Sequence, residues 1–380
     1  MLPIRASRLC IVKEVMEDPR TSARVERMAE RIQVDSVEIV DDAALESILA
    51  ELASRGTPHH GATGTIRPIV IFNRFRFNDS PETRAARQQQ FPTLAKSPGM
   101  KLLGYGGFEW RESGCAAHRA RTGLVCQPAW HIHLLIGCPF RCAYCSLGHY
   151  YNIMMNVEEF ADRLDASLTQ SPGQKLFQFD NYSDPVCFEP EYGATKLLIE
   201  YFARQPDRYL ELYVGKSDLV DFFLHYNHRG HTLCCWSVSG RTQSSLLEPE
   251  TSSMEARIES ARKCQQAGYP VRYRLSPIVP VKNWREETTE LLERIFARTR
   301  PEVITFEALR YFEYDKLIQI INPALLDEQF IEVMKAARGQ SYDHGCEMPD
   351  AFRTQIYQHI IAELERISPK TPYAFCREHR

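Results

Sequence analysis

From His131 onward the sequence alternates strand-like apolar runs with helix-like amphipathic ones, and six such pairs follow in succession. This alternation marks a parallel sheet with crossover helices. The expected strands are 131–137, 175–180, 209–214, 232–238, 271–277 and 303–309. The helical stretches between them include 157–168, 193–203, 253–267 and 284–297, each with an apolar and a charged face. Six units fall short of the eight of a closed barrel. The expected fold class is therefore α/β, a partial (βα)6 barrel.

The barrel accounts for residues 131–330. Ahead of it, 1–75 reads as a small α/β unit, with strands near Leu9, Val37 and Ile69 and helices over 24–32 and 41–55. Residues 76–130 are polar and aperiodic, and read as an irregular connection. Residues 331–380 form an extension with one expected helix, 351–367. With 380 residues, 44% hydrophobic and 25% charged, the chain has the composition of a globular protein. A net charge of −3 argues against a general nucleic-acid binder. No apolar run has the length of a signal peptide or a membrane span, so a cytoplasmic protein without membrane contact is expected.

Twelve cysteines in a chain of this size suggest metal ligands or buried thiols rather than disulfides. The decisive spacing is GCPFRCAYCSLG at the end of the first barrel strand, which sets Cys138, Cys142 and Cys145 in one loop. Three closely spaced thiolates can hold three irons of a [4Fe-4S] cluster and leave the fourth iron open to a ligand. Strand ends are where ligands collect in parallel α/β barrels. A zinc site would want four ligands, usually in paired CxxC spacing, and no fourth partner stands nearby.

The CxxxCxxC spacing, with the aromatic Tyr144 before its last cysteine, resembles the radical SAM superfamily. Further stretches are similar to the spore photoproduct lyase family: YSD at 182–184, GKSD at 215–218, WSVSG at 236–240, EPETSSMEARIESARKCQQAGY at 248–269, LSPIVPVKNW at 275–284 and ITFEAL at 304–309. The resemblance implies an enzyme that holds a [4Fe-4S] cluster and cleaves S-adenosylmethionine to a 5′-deoxyadenosyl radical, drawing electrons from a flavodoxin- or ferredoxin-type donor. It also implies that Ser183, Asp184, Lys216 and Ser237, with Tyr144, contact S-adenosylmethionine. Hydroxyl, carboxylate and ammonium groups suit its amino, carboxylate and ribose groups.

Two positions depart from the family. Asn181 stands where the lyase has its hydrogen-donor cysteine, and Ser146 where it has a tyrosine. Their N–H and O–H bonds are much stronger than those of a thiol or a phenol, so neither readily gives a hydrogen atom to a carbon radical. Cys376, in the ending PYAFCRE, and Cys187, three residues after Asp184, are the candidate replacements. Cys10, Cys234, Cys235 and Cys264 are expected in the core, while Cys115, Cys126 and Cys346 fall in loops. His131, His133, Arg272, Arg274 and Glu307 are candidates to face the barrel interior.

The stretch 336–350, where the lyase carries a basic DNA-inserting hairpin, holds one Arg, one Glu and two Asp. DNA is accordingly disfavoured as a partner, although Arg74, Arg76, Arg84, Arg87 and Arg111 could converge in space. The expected substrate is an organic molecule, nucleoside-like or otherwise small. A DNA photoproduct lyase with a rerouted hydrogen donor, and a non-catalytic iron-sulfur or zinc module, are the alternatives.

Overall fold

The computed structural model describes residues 1–54, 67–110, 120, 123–125, 127, 129–310, 312–340, 348–376 and 378–379. The six expected barrel strands are present as Trp130–Ile132, Leu176–Phe179, Tyr209–Gly215, Thr232–Ser237, Val271–Ile278 and Ile304–Ala308, all parallel and in chain order. Crossover helices Val157–Thr169, Ala194–Phe202, Met254–Gln266 and Trp284–Arg298 follow the expected pattern. The start of Met254–Gln266 is fixed by Ser253, whose hydroxyl accepts the Ala256 N–H at 3.2 Å. Among the described residues, no helix is long and apolar enough to cross a membrane.

Two features of the sheet go beyond the sequence reading. A seventh parallel strand, Tyr373–Phe375, pairs with Ile304–Ala308 at one edge. At the other edge Phe108–Trp110 pairs antiparallel with the first barrel strand. The first strand is also shorter than expected. Asp180, which follows the second strand, accepts the N–H groups of Leu134 and Leu135 at 3.0 and 3.1 Å. That carboxylate takes the backbone out of the ladder. Leu135–Ile136 instead pairs antiparallel with Tyr150–Met154, in the sheet that also holds Ile69–Asn73, Arg8–Val12 and Ser36–Val40. The N-terminal strands and the chain on either side of the cysteine loop thus share one sheet.

The segment 76–130, expected to be irregular, contains the helix Pro81–Gln90. It buries no residue, so it lacks the apolar stripe that would announce it. What defines it is its start, Ser80 as N-cap with Pro81 at the first position.

Register shows which residues share a face. His131 aligns with Gln178 and Gln178 with Glu211, Tyr213 with Cys235 and Cys235 with Arg272, and Ser237 with Arg274, then Thr305, then Ala374. This polar set lines the concave side. The alternate residues Ile132, Phe179, Leu212, Trp236, Tyr273 and Phe306 are fully buried in the apolar core. The concave floor is a charged cluster: Glu211 accepts from Arg272 at 2.9 Å, from Arg274 at 2.8 Å and from Gln127 at 2.8 Å. Buried charges persist only when paired in this way. His133 stands one step higher, with Nδ1 2.6 Å from Asp180 and its ring stacked on Tyr182 at 4.2 Å.

Candidate active site at the barrel mouth

The cysteine loop is held at both ends. Gly137 takes φ +101°, and a Cβ there would sit 2.2 Å from the Tyr150 carbonyl oxygen, so only glycine fits. Its N–H donates to Tyr182 O at 2.9 Å, and its carbonyl accepts the Ser183 hydroxyl at 2.6 Å. On the far side, Ala143 N–H donates to Leu247 O at 2.7 Å. Cys142 is buried, and Cys138 and Cys145 are partly so.

The thiols fit a cluster in their chemistry. Burial and the neighbouring charges of Asp184, Cys142 and Cys145 push the Cys138 thiol well up, and Cys142 is pushed up to about 12 by burial and by Glu248 against the opposing Lys216. Three thiolates could coexist here only around positive charge such as bound iron. Two sulfurs already receive amide N–H groups, Cys138 from Phe140 and Cys145 from Leu147 at 3.4 Å. Such donors tune thiolates that ligate iron-sulfur clusters. Among the described residues, no three His, Cys, Asp or Glu side chains are grouped as a single ion would need. A four-iron cluster instead takes each thiolate at a separate iron.

Of the residues expected around S-adenosylmethionine, Asp184, Lys216 and Ser237 are buried together beside the partly buried Tyr144, while Ser183 bonds to the Gly137 carbonyl. Asp184 accepts the Lys216 N–H at 2.7 Å and faces the Cys187 thiol at 3.5 Å. Burial raises the Asp184 carboxyl to about 7, with the Lys216 N–H and the Cys187 contact opposing. Lys216 Nζ donates to Ser237 Oγ at 2.7 Å and lies 5.9 Å from the centre of the Tyr144 ring. Ser237 in turn donates to Ser276 O at 2.7 Å.

The backbone turn that brings Lys216 to Asp184 depends on Gly215, at φ +70°, where a Cβ would lie 2.1 Å from Asp184 Oδ2. Gly215→Ala is expected to cost about 1–3 kcal/mol of strain and contact, measured as a lower urea midpoint. An unchanged midpoint would show that the turn relaxes freely.

Sequence reasoning did not single out the residue at the centre of this group, Glu248. Its carboxylate accepts from Tyr144 at 2.6 Å, Arg257 at 2.8 Å, Ser239 at 3.0 Å and Gln243 at 3.0 Å, with Lys216 at 4.0 Å. Burial opposes its charge, yet Lys216 and Arg257 more than offset it and hold the carboxyl down at about 2. Both Glu248 and Arg257 lie in the matched stretch 248–269, which was the available signal. Ser239 and Gln243 also line a small neighbouring cavity with Leu275, Val279 and Trp284.

The two candidate hydrogen donors differ in placement. Cys187 is fully buried in the turn Pro185–Phe188, with its thiol against Asp184. Cys376 follows the seventh strand, and its N–H extends the ladder to Phe306 O at 2.9 Å. Since Ala374 shares the face of Thr305 and Arg274, period 2 puts Cys376 on the same concave side.

Of the other candidates, Cys10, Cys234, Cys235 and Cys264 are all buried. Cys115, Cys126, Cys346, Arg111 and residues 341–347 lie outside the described residues. Arg74, Arg76 and Arg87 are paired with Glu159, with Glu14 and Asp42, and with Asp42 and Asp79. Arg84 lies over the Tyr105 ring at 4.6 Å.

A family model described as spore photoproduct lyase matches residues 126–324, just over half of the chain. The chain belongs to the spore photoproduct lyase family. Among curated relatives, the spore photoproduct lyase of Bacillus subtilis is 31% identical over 185 residues, covering 46% of this chain and 54% of that protein. That of Clostridium acetobutylicum is 28% identical over 196 residues, covering 49% and 58%. The match thus spans little more than half of these relatives' length. The fold likeness runs further. A solved spore photoproduct lyase complexed with dinucleoside spore photoproduct superposes with a TM-score of 0.67 over 98% of this chain and 99% of that one, at 17% identity. A mutant lyase with bound AdoMet and the same dinucleoside gives 0.62 at 16% identity over 98% of each chain.

Proposed function

We propose that this chain is a radical SAM enzyme, binding a [4Fe-4S] cluster through Cys138, Cys142 and Cys145 and S-adenosylmethionine beside Tyr144, Ser183, Asp184, Lys216 and Ser237. The observation that carries the reading is the juxtaposition of the three thiols, two with amide donors on sulfur, and this buried polar group at the strand ends. When bound, the cluster supplies the electron that breaks the sulfonium bond and releases a 5′-deoxyadenosyl radical. Lys216 offers its ammonium to a carboxylate or ribose oxygen, Asp184 and Ser237 offer acceptors, and the loop keeps water from the thiols. In domain terms, the barrel 131–330 carries the chemistry. Segments 1–75 and 76–130 back the cysteine loop, and 331–380 supplies the seventh strand.

The substrate in this reading is organic and nucleoside-like, and loses a hydrogen atom to form 5′-deoxyadenosine. Cys376 returns a hydrogen atom to the product radical. An external flavodoxin- or ferredoxin-type donor then supplies the electron that, with a proton, restores the thiol. DNA lesion repair with this rerouted donor is the second reading, favoured by the concave placement of Cys376 and by the relatives' names.

Anaerobic reconstitution with iron and sulfide, followed by dithionite and S-adenosylmethionine, is expected to yield 5′-deoxyadenosine by mass spectrometry, with deuterium drawn from labelled nucleoside substrates. Fully reconstituted protein that makes none would refute the reading. Tight, steeply salt-dependent binding of photoproduct-containing duplex would select the repair version over the small-molecule one.

A further inference from the structure

We infer that Glu378 is a positioning residue, locking the segment that carries Cys376 so that its thiol faces the barrel interior; the catalytic part of this inference rests on the reading above. The seventh strand is only three residues long, and Tyr373 and Ala374 are exposed. Tyr373 and Phe375 rest on Phe306, and Phe375 also on Tyr357, so aromatic contacts hold the strand itself but not the residues beyond it. Three residues past Phe375, Glu378–His379 crosses to pair antiparallel with Leu124–Val125, the strand that precedes the first barrel strand. Residues 373–376 and 378–379 therefore strap the edge at Ile304–Ala308 to the segment leading into the opposite edge, and Cys376 lies within the strap.

The fastening is electrostatic. The Glu378 carboxylate is buried, and it accepts from Arg310 at 3.0 Å, from Arg353 at 3.3 Å and from the Tyr357 hydroxyl at 2.5 Å. Arg310 follows the sixth barrel strand, while Arg353 and Tyr357 come from the helix Asp350–Ile367. Tyr357 also accepts the Ala308 N–H at 2.8 Å, so it ties the sixth strand's end to the same carboxylate. A carboxylate gathered by three donors from two elements fixes its backbone within a narrow range. Cys376, two residues away, is only 5% exposed. Neutralising Glu378 leaves two guanidinium groups facing an amide, and the residues that follow Phe375 lose the ion pairs that hold them.

The test reads the thiol directly. In the full chain, alkylation of Cys376 by iodoacetamide is followed by peptide mass spectrometry, with helix-buried Cys264 as the internal reference for general unfolding. Glu378→Gln is expected to speed Cys376 labelling at least about tenfold through local opening, with Cys264 still protected. If Glu378→Gln labels both cysteines, Tyr357→Phe decides, because it removes one donor and keeps both ion pairs. Faster Cys376 labelling with Cys264 protected in that variant supports the lock, and wild-type labelling overturns it.

In the reconstituted enzyme, Glu378→Gln should raise 5′-deoxyadenosine formed per product at an unchanged rate of 5′-deoxyadenosine formation. Wild-type labelling and coupling in Glu378→Gln, with Cys376→Ala uncoupled, would overturn the lock alone. Normal product from Cys376→Ala would overturn the donor role and leave the labelling result to judge the lock.

Discussion

Cys376→Ala protein is expected to form 5′-deoxyadenosine at the wild-type rate while its normal product falls at least about tenfold per 5′-deoxyadenosine, whereas Cys142→Ala should lose both together with most of its bound iron. The contrast follows from where the two thiols sit. Cys142 is in the loop at the end of the first strand and, in the proposed reading, belongs to radical generation. Cys376 lies beyond the opposite edge of the same sheet, in the strand register that leads through Ala374, Thr305 and Arg274. In that reading hydrogen abstraction from substrate precedes any contribution from Cys376, so its removal should leave that step intact. The substrate radical then persists, and quenching by solvent or reductant changes the product. Running the reaction in deuterium oxide sharpens the test: wild-type product should carry solvent deuterium through the exchangeable thiol, and in the variant the yield of that deuterated normal product should fall at least about tenfold per 5′-deoxyadenosine. Unchanged product and labelling in Cys376→Ala would remove this residue from the mechanism.

The alternation that revealed the six strands arises because one face of each strand must be apolar to pack on helices. Residues such as Phe179, Leu212, Trp236 and Phe306 write that requirement into the sequence with period 2. The seventh strand left no such trace, since Tyr373–Phe375 is only three residues long and largely exposed, too short to show a period of 2. The helix Pro81–Gln90 escaped for a related reason: a helix that buries nothing has only its cap to announce it. At the site, Asp184, Lys216 and Ser237 could be named because each follows a recognisable strand within a matched motif. Glu248 could not be ranked the same way. It lies in a turn between strand and helix, and only the fold shows that Tyr144, Lys216 and Arg257, far apart in sequence, meet on its carboxylate.

That convergence makes Glu248→Ala strongly damaging to the folded state, with an expected loss of about 3–5 kcal/mol at pH 7. Arg257 has no solvent exposure, so truncating Glu248 strands a buried guanidinium and removes the acceptor of the Tyr144, Ser239 and Gln243 donors. The pH dependence gives an independent handle. The Glu248 carboxyl is held at about 2 against an ordinary 4.5, so its charged, paired form favours the folded state. This contribution, about 3 kcal/mol, is complete above the ordinary value and drains away as pH falls through 4.5 toward 2. Wild-type protein should therefore lose urea stability between pH 6 and pH 3 more steeply than Glu248→Ala, and the two curves should draw together in acid. Parallel curves would mean that the carboxylate is not charged and paired in the fold. The consequence for function runs through Lys216, whose ammonium sits between Ser237 and this carboxylate. Without Glu248 the lysine has no anionic neighbour on that side. S-adenosylmethionine affinity should then fall even in Glu248→Gln, which keeps the side chain's shape and removes only its charge.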